Sequence, residues 1–213
     1  MKMEKHTNLN TDSDFRFEES DHTYWLGDLQ IPSPTGLLKE FGITGNYPPG
    51  YAERGKAVHL AAQYYDEGNL DESSVDEAVK PYLTSYKKWI KKQKLKIILM
   101  EKPIFSPSLM FGCTPDRVFV TKARNHLLVD LKTSAHLNKK ANEIQTAFQK
   151  LAITDTLPFT PARFILQLKQ DATIAELIPL TDDRVSEEIA ESMLNLHWYR
   201  RGKSKVINAK NLG

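Results

Sequence analysis

One carboxylate and one lysine interrupt an apolar stretch at residues 126–134, which read His-Leu-Leu-Val-Asp-Leu-Lys-Thr-Ser. The leucine and valine residues predict a central β-strand that is covered on both faces. Because side chains alternate along a strand, we expect Asp130 and Lys132 on the same face. Burying both charges is costly unless each finds a partner. A structural ion pair or a solvated strand end is the more common arrangement, so a catalytic role requires further acidic groups nearby.

A second acidic residue, Asp116, occupies the preceding predicted strand. It follows Phe-Gly-Cys-Thr-Pro at 111–115, and a polar turn at 122–125 separates it from the next strand. Antiparallel pairing of these strands could place it beside Asp130. Two neighbouring carboxylates repel each other, which a divalent cation relieves, and oxygen-rich sites suit Mg²⁺ or Mn²⁺. Glu101, one strand earlier, is a third candidate, although an exposed acid paired with a lysine explains it equally well.

Three further polar residues lie on predicted helices. His59 stands among apolar residues one helical turn after Gly55, which leaves room above the imidazole. A lone histidine in such surroundings is usually a core residue, but neighbouring carboxylates favour a metal ligand. Gln145 and Gln149 lie one turn apart on the helix after residues 126–134, where they could contact the lysine or a substrate phosphate. Solvated glutamines beside an apolar stripe are common, so this pair alone is a weak signal.

The elements that must position these residues alternate between helices and strands. Ser33-Pro34 begins a short helix that Gly42 ends, and Gly68-Asn69 stops a longer one. The predicted strands are 22–26, 29–31, 97–105, 110–120, 127–133, 164–169 and 173–180, and the other predicted helices are 51–67, 71–90, 137–154 and 182–200. This order predicts one α/β domain with a mixed central sheet.

Length and composition are those of an ordinary globular protein, with 213 residues, 40% of them hydrophobic, and a net charge of +2. We expect a frayed tail at residues 1–20, a single domain at 21–200 and a basic C-terminal tail at 201–213. The single cysteine, Cys113, excludes an internal disulfide framework and a four-cysteine zinc or iron–sulphur site. Because no apolar run reaches the roughly 18 residues of a membrane span and the N-terminus lacks the apolar core of a secretory signal, we expect a soluble intracellular protein.

In their order along the chain, the candidate residues resemble the motif set of the PD-(D/E)XK nuclease superfamily, and within it the RecB-like branch. The matching set is His59, Glu101, Gly112-x-x-x-Asp116, Asp130-Leu-Lys132 and Gln145. The stretches 24–33 and 53–59 are also similar to small phage and prophage exonucleases of this branch. The resemblance covers residues 20–200 and implies a restriction-endonuclease-like αβββαβ core, with a central mixed β-sheet flanked by helices.

The chain departs from the family pattern at three points. The family often carries tyrosine or phenylalanine four residues after the glutamine, where this sequence has Gln149 preceded by Phe148. The chain lacks the four cysteines of relatives that bind an iron–sulphur cluster. It also lacks the phosphate-binding loop of a helicase, which implies a nuclease that acts by itself.

The resemblance implies a Mg²⁺- or Mn²⁺-dependent deoxyribonuclease that leaves a 5′-phosphate. The implied metal ligands are His59, Asp116, Asp130, the backbone carbonyl of Leu131 and, as a further candidate, Glu101. Metal-bound water would attack the phosphodiester, oriented by Lys132. Gln145 would position either Lys132 or the scissile phosphate. Asp116, Asp130, Lys132 and Gln145 are therefore the expected catalytic residues.

Linear DNA with its ends is the implied substrate, contacted through Arg54, Lys56, Arg117, Gln149 and the basic C-terminal tail. No motif for reading bases is visible, so we expect binding without sequence preference. The resemblance implies a role in recombination or repair of the phage or prophage type, in the cytoplasm of a bacterial or phage-infected cell. A single-strand annealing recombination protein is a candidate partner. Two alternatives stay open: an inactive DNA-binding protein of the same fold, and a structure-specific endonuclease.

Overall fold

The structure, a computed structural model, describes residues 14–43 and 50–202. The strands along these residues are β1 Phe15–Glu18, β2 Thr23–Leu26, β3 Leu29–Ile31, β4 Lys96–Met100, β5 Ile104–Ser106, β6 Phe111–Cys113, β7 Arg117–Val120, β8 His126–Lys132, β9 Ala162–Gln167 and β10 Glu176–Leu180. The helices are α1 Pro34–Glu40, α2 Tyr51–Glu67, α3 Lys80–Lys92, α4 Lys139–Thr156 and α5 Asp183–Arg200.

A five-stranded mixed sheet occupies the middle of the fold, in the order β10-β9-β8-β7-β4. Strands β8 and β9 run parallel, and the other neighbours in this sheet run antiparallel. Helices α1, α4 and α5 cover one face, where Leu128 of β8 is buried. Helices α2 and α3 cover the other face, where Val129 and Leu131 are buried. The predicted α/β architecture, a central mixed sheet flanked by helices, is confirmed.

Local sequence signals set the helix boundaries. The Ser33 hydroxyl accepts a hydrogen bond from the Gly36 N–H at the start of α1. Gly68 ends α2 with a left-handed backbone at φ +77°. The Asn138 side chain accepts from the Ala141 N–H at the start of α4. These signals explain why α1, α2 and α4 agree closely with the predicted ranges, and α5 also agrees.

Two long predicted strands are each broken in two, so the prediction of continuous strands there is wrong. The predicted strand 97–105 corresponds to β4 and β5, and 110–120 corresponds to β6 and β7. Glu101 has a left-handed backbone at φ +44° after β4, and Pro103 and Pro115 have no N–H to donate to a neighbouring strand. Strands β5 and β6 instead pair with each other in a separate two-stranded ribbon.

Helix α3 begins later than predicted, at Lys80, because Pro81 is tolerated only in the first turn of a helix. The preceding segment Glu72–Ser74 forms a short 3-10 turn. Within residues 14–43 and 50–202, no helix combines the length and apolar character needed to cross a membrane.

A strand, β1, forms inside the stretch expected to be frayed. Its Phe15 and Phe17 pack against the ring of Tyr24 in β2, and β3 completes a three-stranded antiparallel sheet. This small sheet matters because β2 also packs against β6. The rest of the expected N-terminal tail, residues 44–49 and the expected basic tail from 203 onward lie outside the described residues.

Candidate metal centre and cleft

Three candidate ligands converge beside the central sheet. His59 belongs to α2, Glu101 follows β4 and Asp116 precedes β7, and one donor atom of each lies within 4.8 Å of the others. His59 Nδ1 is 3.8 Å from Glu101 Oε1 and 3.5 Å from Asp116 Oδ1. The Glu101 N–H donates to the Asp116 carbonyl at 3.2 Å, which continues the pairing of β4 with β7 and holds the two acids side by side.

Hydrogen bonding determines which nitrogen of His59 faces the two acids. His59 Nε2 lies 3.0 Å from the backbone carbonyl oxygen of Leu131. A carbonyl only accepts, so Nε2 carries a proton, and Nδ1, the nitrogen that faces Glu101 and Asp116, is the one that a metal ion would bind after any proton there is lost. Ligating histidines commonly donate their other N–H to a backbone carbonyl in this way. One nitrogen and two carboxylates that face each other need a cation or a proton between them, and this donor set fits Mg²⁺ or Mn²⁺.

The pKa shifts report crowded negative charge. Burial acts to lower the pKa of His59, but the charges of Asp116 and Glu101 outweigh it and raise the pKa to about 9. Burial raises the pKa of Asp116 and of Asp130 above the ordinary range of a carboxyl group. A bound cation would offset this buried negative charge.

A second group of polar residues lies next to the cluster and forms a closed triangle. Lys132 Nζ is 2.6 Å from Asp130 Oδ2 and donates to Gln145 Oε1 at 3.2 Å. Gln145 Nε2 in turn donates to Asp130 Oδ1 at 3.2 Å. Asp130 and Lys132 therefore share a face of β8, as the alternation predicts. Leu131 links this triangle to the cluster, because its N–H donates to Asp116 Oδ2 at 2.6 Å.

The predicted ligands thus fall into three places. His59, Asp116 and Glu101 form the cluster, whereas Asp130 is bound to Lys132 and Gln145. The Leu131 carbonyl accepts from His59. Direct coordination of a metal by Asp130 or by the Leu131 carbonyl stays a prediction.

The cluster opens into a cleft of about 530 Å³. Helix α2 forms one wall, with Lys56 and Leu60, and the turn between β1 and β2 forms another, with Asp21 and His22. A smaller cavity of about 300 Å³ shares His59 and Gln145 with the cleft and is lined in part by Leu131, Lys132, Thr133 and Ser134. Glu101, Asp116 and His59 therefore face the cleft, and Lys132 faces the smaller cavity. A substrate could enter either space.

Close packing explains the glycine four residues before Asp116. A Cβ on Gly112 would lie 2.5 Å from both Cγ and Cδ1 of Tyr24. The Tyr24 hydroxyl is hydrogen-bonded to Thr114 Oγ1 at 2.8 Å, so the ring is fixed at both ends. Glycine at this position lets the small N-terminal sheet pack against β6 and complete the wall of the cleft.

The residues predicted to contact DNA differ in their surroundings. Lys56 is exposed and lines the cleft. Arg54 stacks on Tyr51 and Tyr82, with its guanidinium carbon 4.4 and 5.0 Å from the ring centroids. Gln149 is buried at the cleft, and its Oε1 has no hydrogen-bond partner among the described residues. For these three residues, contact with DNA stays a prediction.

Arg117 is a correction, because its side chain is fully buried and cannot reach DNA. Alternation along β7 places it with Phe119 on the face covered by α2 and α3. There its guanidinium binds Asp66 and Glu101, each at 2.9 Å.

Sequence reasoning misses Asp66 as a participant in this region. Asp66 accepts from Arg117 and also from the Tyr86 hydroxyl at 2.7 Å. It lies seven residues after His59 on α2, which places both side chains on one face of the helix. That spacing is the sequence signal that could have identified it.

No protein-family model matches the sequence, and no curated protein matches it. Among solved structures, the chain is similar to one described as a "putative exonuclease" from Eubacterium rectale. The two share 12% identity with a TM-score of 0.49, over 82% of this chain and 76% of the other.

Proposed function

We propose that this chain is a divalent-metal-dependent deoxyribonuclease of the PD-(D/E)XK type that hydrolyses phosphodiester bonds from the ends of linear DNA. The observation that carries the proposal is the convergence of His59 Nδ1, Glu101 and Asp116 beside the Asp130–Lys132 pair. A purely structural ion pair accounts for Asp130 and Lys132. It does not account for an imidazole nitrogen directed at two further carboxylates at the wall of a cleft.

The residues divide the chemistry between them. His59, Glu101 and Asp116 would hold Mg²⁺ or Mn²⁺, which when bound supplies Lewis-acid activation and offsets charge on the phosphate. Lys132, held by Asp130 and Gln145, can orient the attacking water and stabilise the charge that develops on the phosphate oxygens. Gln145, which lines both cavities, holds the lysine at the wall of the smaller one.

The cleft supports DNA as the substrate in a limited way. Lys56 supplies a cation at its wall, and the buried Gln149 offers an amide oxygen that has no partner among the described residues. We extend the proposal to a role in recombination or repair in the cytoplasm, with a single-strand annealing protein as a candidate partner. Co-purification of such a protein with this chain would test the proposed partner, and its absence would argue against it.

The test is degradation of end-labelled linear duplex and single-stranded DNA with Mg²⁺, Mn²⁺ or EDTA, with a closed circle as a second substrate. The variants are Asp130→Ala and Lys132→Ala. Lys150→Ala is the matched control, because Lys150 is also a part-buried lysine held by two carboxylates, Asp183 and Glu187, but does not line either cavity.

We expect metal-dependent loss of linear DNA that spares the circle, is abolished by both site variants and persists in Lys150→Ala. Cleavage of the closed circle would replace the exonuclease by an endonuclease. Folded protein that binds DNA and cleaves no substrate with any metal would instead support an inactive DNA-binding protein.

A further inference from the structure

Arg117 is a buried cation that contacts the candidate metal centre from the side of the sheet covered by α2 and α3. Its Nη1 donates to Glu101 Oε1 at 2.9 Å and to the backbone carbonyl of Asp116 at 2.8 Å. Its Nε donates to Asp66 Oδ2 at 2.9 Å, and the same oxygen accepts from the Tyr86 hydroxyl. One guanidinium therefore connects two of the three cluster residues to the layer formed by α2 and α3.

The contact with Glu101 orients that carboxylate. Glu101 lies outside the regular strands, because it follows β4 with a left-handed backbone, and its side chain is 20% exposed at the cleft. Arg117 binds one of its oxygens with a charge-assisted hydrogen bond, the stronger kind. The bound oxygen, Oε1, is also the one that lies 3.8 Å from His59 Nδ1, so the hydrogen bond fixes the carboxylate at the cluster.

A buried arginine beside a cation site also creates a difficulty, since its charge repels the cation. Asp66 offsets this repulsion, because its carboxylate binds Nε of the guanidinium. The Asp66 side chain is almost fully buried, at 3% exposure. With Asp66 ionised, the arginine's charge is shared by two carboxylates, and Glu101 retains negative charge for a metal. Without it, Glu101 alone would neutralise Arg117.

We propose that Arg117 is a positioning residue that holds Glu101 at the metal centre, and that Asp66 and Tyr86 maintain this role by fixing and compensating the guanidinium. The proposal rests on the proposed metal centre. It predicts that residues of α2 and α3 that touch neither metal nor DNA set the affinity for the divalent cation.

Arg163 provides an internal comparison. It is also fully buried on a strand of the central sheet, and its Nε donates to a carboxylate, Asp183, at 2.6 Å. Its other contacts are the Glu143 carbonyl and the Thr146 hydroxyl, neither of which belongs to the cluster. The substitution Asp183→Asn therefore breaks a pair between a buried arginine and a carboxylate that is more exposed than Asp66, at a place where no metal affinity should depend on it.

The experiment measures Mn²⁺ binding by isothermal titration calorimetry on protein freed of metal with EDTA, with thermal unfolding of every variant. Loss of a partner behind a metal ligand typically costs 10–100-fold in affinity. We expect Asp66→Asn to weaken Mn²⁺ binding by about tenfold. Tyr86→Phe, a milder change that keeps the ion pair, should weaken it in the same direction by a smaller factor. Asp183→Asn should leave the affinity unchanged even where it lowers the melting temperature.

A double substitution tests whether the effect passes through Glu101. In a Glu101→Gln background, Asp66→Asn should cause less than its tenfold loss, because the ligand that Arg117 positions is already removed and only repulsion by the uncompensated guanidinium remains. The same factor in both backgrounds would overturn the positioning role of Arg117. So would wild-type affinity in Asp66→Asn and Tyr86→Phe, or an equal loss in Asp183→Asn.

Failure of the proposed metal centre has a separate signature. If the wild-type chain binds no Mn²⁺ at any concentration tested, the metal centre and this proposal fall together. If the wild type binds and Glu101→Gln weakens binding while Asp66→Asn does not, the metal centre stands and the positioning role is refuted.

Discussion

The substitution Gly112→Ala should destabilise this protein although it adds a single methyl group. The new Cβ would lie 2.5 Å from Cγ and Cδ1 of Tyr24 and 2.7 Å from its Cβ, so Tyr24 must retreat by about 0.9 Å to reach ordinary contact at 3.4 Å. A rotation of the side chain does not relieve the clash, because the atoms concerned lie close to the backbone. The ring is also buried, stacked near Phe15 and Phe17, and hydrogen-bonded to Thr114.

Relief therefore requires β2 to move away from β6. Forced overpacking of this kind costs typically about 1–3 kcal/mol. For a chain of this length each kcal/mol lowers the melting temperature by about 2–4 °C, so we expect a fall of about 2–12 °C. Because the N-terminal sheet must shift as a whole, amide hydrogens of Thr23–Leu26 should also exchange faster than in the wild type.

Gly55→Ala is the matched control, with the opposite expected sign. Gly55 lies inside α2, and a Cβ there would meet only Thr133 Oγ1 at 3.9 Å, an ordinary contact. Replacing a glycine within a helix by alanine stabilises by about 0.5–1 kcal/mol. Urea unfolding of both variants measures the difference. A Gly112→Ala protein as stable as the wild type, with unchanged exchange in β2, would refute the packing argument.

Three further predictions concern stability. Ser33→Ala removes the N-cap of α1 and should cost about 1 kcal/mol in urea unfolding; no change would show that the cap contributes nothing. Burial acts to raise the pKa of Asp183, but hydrogen bonds from Lys150 and Arg163 outweigh it and lower the pKa. The ionised Asp183 carboxylate therefore stabilises the folded protein fully at pH values above its ordinary pKa of 3.8. This stabilisation is lost as the pH falls through the lower pKa that Asp183 has in the folded protein. Asp183→Asn should lower the melting temperature at neutral pH and shrink its acid dependence, whereas an unchanged acid dependence argues against the pair. Lys132→Met leaves the buried Asp130 with Gln145 as its remaining hydrogen-bond partner in the triangle. The free energy of unfolding, measured in the presence of EDTA, should fall by about 1–3 kcal/mol, a moderate loss because the lysine is partly exposed. Adding Asp130→Asn should recover most of that loss, and a loss that simply adds would contradict the coupling.

The sequence by itself determined the local elements and the order of the site residues. Ser33, Gly68 and Asn138 mark helix ends through contacts within a few residues, so their effect is readable without a tertiary structure. The apolar run of β8 likewise identifies a doubly covered strand, and the period of two then places Asp130 and Lys132 on one face. These inferences hold because they depend on backbone geometry alone.

Tertiary structure decided which of those residues meet. The turn at Glu101 and the break before Asp116 bend the chain so that both acids face His59, and neither break follows from an apolar pattern. Arg117 shows the same limit: its position beside an acid suggests a surface contact, yet α2 and α3 cover the face of β7 that carries it.

The physical reason is the range of the interactions. Caps, turns and strand alternation are fixed by neighbours in sequence, whereas the partners of a buried charge are fixed by the packing of distant elements. Arg117 donates a hydrogen bond to Asp66, which lies 51 residues away in the sequence. Tyr24, which belongs to the N-terminal sheet, leaves no room for a side chain at position 112. The sequence therefore provided the chemical groups and their order, and only the packing of α2, the N-terminal sheet and the central sheet assembled them into a candidate metal centre.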